Sequence, residues 1–189
     1  YILTYEWTGF PGTTDVVVTV GGFVYVARES STVAAYKTFS PQRHPLIGDL
    51  QGLAKPVLIA EGRNEEIFVA DAGDMTVKRF PRSGGAAAQV VSDTAWTVFG
   101  GIAADNDGFL YVADKARDFI WKYTPSGKRD SSFGTAGVLT EGGAGFGFVR
   151  QPGGLCFDGT FLQVTDTGKN MVQKLFRNQF ATSTLIVTG

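Results

Sequence analysis

The fold of this chain is decided by a short stretch, Phe109-Leu-Tyr-Val-Ala-Asp114, that recurs in related form along the sequence. The related stretches are Gly22-Phe-Val-Tyr-Val-Ala-Arg28, Glu66-Ile-Phe-Val-Ala-Asp71 and Phe161-Leu-Gln-Val-Thr-Asp166. Their matching positions lie 43, 43 and 52 residues apart, and a regular period of this length indicates a repeat protein. Each stretch is almost wholly apolar, which is typical of a strand that is buried on both faces.

Further short segments accompany these stretches, so that each repeat is predicted to hold four strands, called A to D in chain order. Turn residues such as Asn106-Asp107-Gly108 and Asp158-Gly159 separate strand A from strand B, because they tolerate the positive φ of hairpin turns. No stretch shows a sustained apolar period of about 3.6 residues with a cap and a stop. The sequence therefore predicts an all-β fold, a β-propeller of four-stranded antiparallel blades with four blades in this chain.

We assign a single propeller domain to residues 1–189. Residues 1–16 are expected to form the outer strand of a preceding blade and a connection, with Tyr1–Trp7 as that strand. The four blades are expected at residues 17–55, 56–97, 98–150 and 151–189.

Several motifs resemble the signature of NHL repeats. They are Gly134-Thr-Ala-Gly137, Gly145-Phe146, Gln151-Pro-Gly-Gly-Leu155, Phe157-Asp-Gly159 and Val164-Thr-Asp-Thr-Gly-Lys-Asn-Met-Val-Gln-Lys-Leu175. The resemblance implies a propeller that is most often six-bladed, with uses that run from protein and RNA binding to hydrolase and lyase activity. An open stack of four blades leaves two apolar end faces exposed. We therefore expect further blades, or another chain, to complete a six-bladed ring, and a closed four-bladed ring is the competing arrangement.

Composition excludes several classes of protein. The chain has 17 Lys and Arg against 18 Asp and Glu, a net charge of −1, which argues against a partner held mainly through phosphate groups. Cys156 is the single cysteine, so no internal disulfide framework forms, and His44 is the single histidine, so metal sites that need several histidines are excluded. No run of eighteen apolar residues predicts a membrane span.

Three aspartates recur at the end of strand B, namely Asp71, Asp114 and Asp166, with Arg28 at that position in the first repeat. A shared Ca²⁺ site is disfavoured, because neighbouring blades stack about 10 Å apart whereas calcium ligands lie at about 2.4 Å. We expect these acids to close the turn between strands B and C. Basic residues recur in strand C as Arg79, Lys122 and Lys174, and we expect amphipathic stems packed between blades rather than a ring that grips RNA.

Other possible sites are interpreted as structural. The run Asp105-Asn-Asp-Gly108 resembles the start of a calcium loop but lacks the required Glu, so it predicts a hairpin turn. The glycine-rich stretch Gly142–Gly147 lacks the helix that a phosphate loop requires. Cys156 is expected to be a buried, inert thiol, Trp96 is expected to reach the end of the propeller, and no nucleophile accompanies His44.

We predict a non-catalytic binding or scaffold protein, without a metal, a cofactor or a catalytic residue. Its binding face is expected at the B–C loops, with Arg28, Asp74, Arg117 and Lys169 as candidate contacts. Their mixed charges suit a protein or a polar small ligand rather than nucleic acid. The resemblance favours an extracellular, periplasmic or cell-surface location. A propeller hydrolase or lyase with an axial metal is the alternative, with Glu61, Asp105 and Asp158 as the acids nearest the axis, and an RNA-binding NHL domain is the second alternative.

Overall fold

The computed structural model describes residues 10–37, 47–134, 137–139, 148–176 and 185–187. Within these ranges the chain forms fifteen strands and two short 3₁₀ turns, Arg63–Glu65 and Thr167–Lys169. The chain divides into two compact units, unit 1 over Tyr1–Val90 and unit 2 over Val91–Gly189. None of the described helical segments is long and apolar enough to cross a membrane.

Unit 1 is built from two antiparallel sheets. The first has the strand order β1-β2-β3, with β1 at Thr13–Val18, β2 at Phe23–Arg28 and β3 at Val33–Lys37. The second has the order β4-β5-β6-β7, with β4 at Pro56–Glu61, β5 at Ile67–Asp71, β6 at Thr76–Phe80 and β7 at Gln89–Ser92, which crosses the boundary between the units. Outside the named strands, Leu50 forms an antiparallel bridge to Val33 at the outer edge of the first sheet.

Unit 2 repeats this arrangement. Its first sheet contains β8 at Phe99–Ala104, β9 at Leu110–Asp114, β10 at Phe119–Tyr123 and β11 at Val138–Leu139. Its second sheet contains β12 at Pro152–Phe157, β13 at Phe161–Asp166, β14 at Met171–Phe176 and β15 at Leu185–Val187. Among the described residues, the paired strands of both units follow each other in the chain, as β8, β9 and β10 do, and these pairs are antiparallel.

Apolar side chains fill the space between the two sheets of each unit. In unit 1 the core includes Tyr25 and Val33 from the first sheet and Ile59, Ile67 and Val69 from the second. Strands β5 and β9 are buried along their whole length, which confirms the interpretation of their apolar sequences. Each Å² of apolar area that is removed from water stabilises the folded state by about 25 cal/mol. Strands that are buried on both faces therefore contribute strongly to the free energy of folding.

The corresponding core of unit 2 depends on a close approach of two strands. Tyr111, Ile120 and Phe133 pack against Leu162 and Val164. Strand β8 lies so near β12 that a Cβ atom at Gly101 would collide with the backbone of Gly153 and Leu155. Glycine is therefore required at this position for the two innermost strands to stack.

The four antiparallel sheets confirm the predicted all-β class and the four strands per repeat in three of the repeats. In the first repeat β1 begins at Thr13, within the region expected to be a connection. The expected outer strand Tyr1–Trp7 lies outside the described residues. So do His44 and Gly142–Gly147.

One face of strand β1 is open. Its inward side chains pack toward the second sheet, with Val17 in the core and the Asp15 carboxylate accepting a hydrogen bond from the Ile59 amide at 2.8 Å. The outward side chains Val16 and Val18 are 54% and 57% exposed, and Val20 in the following turn is 94% exposed. An apolar face of this kind is a candidate contact surface.

Two expectations about single residues are wrong. Cys156 is exposed, because residues alternate between the two faces of β12 and Cys156 lies on the side away from the core of unit 2. Trp96 is buried rather than placed at the surface, since its ring packs edge-on against Tyr123 and tilted against Phe99.

Candidate functional site

Each sheet has one end at which strand B passes into strand C and a connection enters strand A. In the second sheet this is where Asp71 pairs with both Pro56 and Thr76. We call it the loop end. The loop end of unit 1 comprises residues 10–12, 28–32, 54–55 and 72–75, and the loop end of unit 2 comprises residues 97–98, 115–118, 148–151 and 167–170.

A buried aspartate, Asp71, lies at the loop end of the second sheet of unit 1. The Asp71 carboxylate accepts hydrogen bonds from the backbone amides of Ala54 and Lys55, both at 2.7 Å, and of Gly73 at 3.0 Å. The Lys78 ammonium donates a further bond at 2.7 Å. Burial by itself would raise the pKa of Asp71, but the bonds from Lys78 and the three amides outweigh it and hold that pKa below its ordinary value. The ionised carboxylate therefore ties the incoming connection to the end of β5.

The same position carries an aspartate in both sheets of unit 2. Asp114 accepts bonds from the Thr97 amide and hydroxyl, both at 2.8 Å, and from the Ala116 amide at 3.1 Å. Asp166 accepts a bond from the Arg150 amide at 3.0 Å and one from the Gln173 side-chain amide. All three aspartates are almost fully buried.

Different side chains thus complete an equivalent arrangement in the three sheets that carry the aspartate. Lys78 and Gln173 both lie seven residues after the aspartate to which they donate. In the first sheet of unit 2 this position is Trp121, and the Thr97 hydroxyl donates to Asp114 instead. The bonds to Gly73 and Ala116 span two residues and are those of a turn. The bonds to the incoming connection join residues 16 or 17 positions apart, and the sequence pattern did not reveal them.

The first sheet departs from this arrangement because Arg28 replaces the aspartate. Its guanidinium carbon lies 5.8 Å from the centroid of the Phe10 ring, within the range of a cation–π contact. The connection is held instead by the Glu29 amide, which donates to the Gly12 carbonyl at 2.8 Å.

The four candidate binding residues have different surroundings. Asp74 is exposed but pairs with the Lys78 ammonium at 2.5 Å and accepts a bond from the Thr76 hydroxyl. Lys169 donates from its ammonium to the Phe148 carbonyl at 2.8 Å. Arg117 is exposed, and no ion pair of its guanidinium occurs among the described residues. Arg28 and Asp74 lie in unit 1, whereas Arg117 and Lys169 lie on the neighbouring loops of unit 2.

Two further cations at the loop end of unit 2, Lys115 and Arg150, were not singled out from the sequence. Both are exposed. The connection at Arg150 and Gln151 joins the two loops, since the Gln151 amide donates to the Asp118 carboxylate and the Gly168 amide donates to the Arg150 carbonyl at 2.9 Å. Their proximity depends on contacts between distant parts of the chain, which only the fold discloses.

The opposite end of the sheets carries the acids of the A–B turns. Asp105 accepts bonds from the amides of Asp107 and Phe109 and from the Tyr111 hydroxyl, which confirms the hairpin turn expected there. Asp158 accepts bonds from the amides of Phe161 and Thr160, and these bonds lower its pKa to about 2. Both carboxylates are therefore engaged within their own turns.

In unit 1 two glutamates approach each other at this opposite end. Glu61 accepts bonds from the Val20 amide at 3.0 and 3.2 Å, and burial, followed by the nearby charge of Glu65, raises the pKa of Glu61. Glu65 pairs with Arg82 at 2.9 Å and has a φ of 60°, a left-handed conformation that is uncommon for residues other than glycine.

The basic residues of strand C pack as amphipathic stems. Lys122 is 3% exposed, with its ammonium 3.1 Å from the Asp130 carboxylate and 4.2 Å from the centroid of the Phe109 ring. The Lys174 ammonium lies 4.1 Å from the centroid of the Phe161 ring. Arg79 lies 3.9 Å from the Glu66 carboxylate. Each of these three basic side chains therefore has a contact within the protein.

Comparison with known proteins identifies the class of fold. The chain is similar to the structure of streptogramin B lyase, with a TM-score of 0.66 and 13% identity over 93% of this chain and 54% of that chain. Two structures of virginiamycin B lyase from Staphylococcus aureus, a selenomethionine-substituted form and a catalytically inactive variant with quinupristin, each give a TM-score of 0.63 and 14% identity over 92% of this chain and 54% of theirs. The four sheets are accordingly blades of a β-propeller.

The chain spans about half the length of the solved structures that it matches. No protein-family model matches the chain, and no curated protein matches its sequence. The resemblance to NHL repeats therefore stays a prediction.

Proposed function

We propose that this chain is a non-catalytic, NHL-like binding propeller whose loop ends bind a protein or a polar small ligand. The observation that carries the proposal is the buried aspartate in three of the four sheets, which bonds the incoming connection to the end of strand B. A surface held in place before the ligand arrives loses less conformational entropy on binding. The loop ends are thus suited to recognition.

The acids at the A–B turns support the same proposal. Asp105 and Asp158 accept hydrogen bonds from backbone amides of their own turns, as a carboxylate that stabilises a turn does. We assign them a structural role.

Selection from a phage-displayed random peptide library would test this function. Peptides selected on the wild-type chain are expected to bind it and to lose affinity for a variant with alanine at Arg28, Asp74, Arg117 and Lys169. A matched variant with alanine at Lys128 and Asp107, which lie at the opposite end of their sheet, is expected to bind normally. Peptides that bind all three proteins equally would contradict the proposed binding face.

A propeller lyase is the second candidate. The observation that favours it is the pair Glu61 and Glu65, because a carboxyl group with a raised pKa beside a second carboxylate is suited to proton transfer. The assay is incubation of the chain with quinupristin, with and without added Ca²⁺ or Zn²⁺, followed by liquid chromatography and mass spectrometry. A new chromatographic product that disappears in Glu61→Gln would replace the binding proposal, whereas unchanged quinupristin is the result we expect.

We also propose that a further propeller blade covers the open face of β1. Val16 and Val18 present apolar area there, as Val17 does on the side that contacts the second sheet. In the absence of that blade, the chain is expected to self-associate through the valines, and Val16→Lys with Val18→Lys is expected to reduce the association in sedimentation experiments. Equal sedimentation of the two proteins as monomers would contradict this proposal.

A further inference from the structure

We infer that the loop end of unit 2 is a docking surface for an acidic segment of a protein. This inference rests on the proposed binding function and adds to it the chemistry of the partner. The argument starts from three exposed cations, Lys115, Arg117 and Arg150. Their side chains are exposed to solvent, and their ammonium and guanidinium groups form no ion pair or hydrogen bond with the residues that the structure describes.

Among the described residues, no carboxylate at this end forms an ion pair with these three cations. Asp114 and Asp166 are buried and accept hydrogen bonds from the backbone. Asp118 accepts a bond from the Gln151 amide at 2.5 Å. Lys169 lies at the same end, with its ammonium bonded to the Phe148 carbonyl and 4.0 Å from the Asp166 carboxylate. The exposed charged side chains at this end are therefore all cations, on a chain whose net charge is −1.

The framework brings these cations together and holds them. Lys115 and Arg117 lie in the loop after β9, whereas Arg150 precedes β12 in the next sheet. The Thr167 hydroxyl donates to the Gln151 carbonyl at 2.5 Å, and a Cβ atom at Gly168 would collide with Arg150. The two loops and the connection thus pack closely enough to act as one surface.

The spacing of the charges favours a ligand with several carboxylates. Neighbouring sheets stack about 10 Å apart, so cations on both sheets cannot all contact a single small anion. An extended acidic peptide can place successive side chains on them, and complementary charge accelerates its association. The negative net charge of the chain disfavours a nucleic acid, which binds mainly through many phosphate contacts.

Fluorescence anisotropy with a fluorescein-labelled oligoglutamate peptide at low ionic strength tests the inference. The test variant carries Lys115→Glu, Arg117→Glu and Arg150→Glu. The control is Lys128→Glu, an exposed lysine between β10 and β11 at the opposite end of the same sheet. An oligoglutamine peptide of equal length and a single-stranded oligonucleotide of equal charge serve as comparison probes, and thermal unfolding verifies that the variants fold.

The wild-type chain is expected to bind oligoglutamate, the triple variant about ten-fold more weakly, and the control variant within about two-fold of wild type. Absence of oligoglutamate binding, equal loss in the control, or unchanged affinity of the triple variant would each overturn the inference. Tighter binding of the oligonucleotide would overturn it in favour of a nucleic acid. If library peptides still depend on the four candidate residues while oligoglutamate does not bind, the proposed function stands and only the acidic partner is rejected.

Discussion

The loop ends of the two units share a framework but differ in the charges that they expose. In unit 1 the exposed charges have both signs, and Asp74 is paired with Lys78. In unit 2 the exposed charges at the loop tips are the cations Lys115, Arg117 and Arg150. The buried aspartates bond the incoming connections to the strand ends in both units, and we propose that the residues at the loop tips determine what each end can bind.

The largest expected effect comes from removing the buried carboxylates. Asp71→Ala leaves the buried Lys78 ammonium with only Asp74 as a partner, so we expect a loss of about 3 kcal/mol in the free energy of unfolding. Asp166→Ala leaves a neutral donor, Gln173, and is expected to cost about 2 kcal/mol. Urea denaturation of both variants measures the difference.

The double variant Asp71→Ala with Lys78→Met provides the control, because it removes the unpaired charge. We expect it to recover part of the loss seen in Asp71→Ala. If Asp71→Ala proves as stable as the wild type, the aspartate does not hold the framework as described.

The pH dependence of stability separates the role of the Asp71 charge from that of its shape. The folded state lowers the pKa of Asp71, so its ionised form contributes stability that is fully present above the ordinary value of about 3.9. This contribution is lost as the pH falls through the lower pKa of the folded state. The advantage of wild type over Asp71→Asn in urea denaturation is therefore expected to shrink below about pH 4, and an advantage that grows with acid would refute the assignment.

The smallest expected effect concerns the sheet that lacks the aspartate. Arg28→Ala removes the contact of the guanidinium with the Phe10 ring, and we expect a loss of about 0.5–1 kcal/mol in the free energy of unfolding. Thermal unfolding of this variant beside Asp71→Ala tests whether the first sheet depends less on this position. A loss as large as that of Asp71→Ala would remove the distinction between the two sheets.

The repeated apolar stretches predicted strands β2, β5 and β9 because burial on both faces produces nearly continuous apolar sequence. Strand β13 was predicted from its match to the repeat, although only one of its faces is buried throughout. The acid that ends three of these strands was also visible in the repeat. Its hydrogen bonds to the incoming connection could not be predicted, because the donors are backbone amides, which every residue type except proline possesses.

The surface at the loop end of unit 2 was only partly predictable. Arg117 and Lys169 were identified from their place in the loops, but Arg150 precedes a strand A and joins them through contacts that the fold creates. Cys156 was misjudged because its apolar neighbours Leu155 and Phe157 both face the core, whereas Cys156 lies on the opposite face of β12. The sequence of β12 is mostly apolar and therefore predicts burial on both faces, whereas only one face of this strand packs against the core.

The central claim is that a framework of buried aspartates presents the loop end of unit 2 as a binding surface. Titration of the isotopically labelled chain with the oligoglutamate peptide, followed by amide NMR shifts, tests it most directly. The account predicts that the shifts concentrate at residues 115–118, 150–151 and 167–170. Shifts concentrated at residues 28–32 and 72–75 of unit 1, or no shifts at saturating peptide, would contradict it.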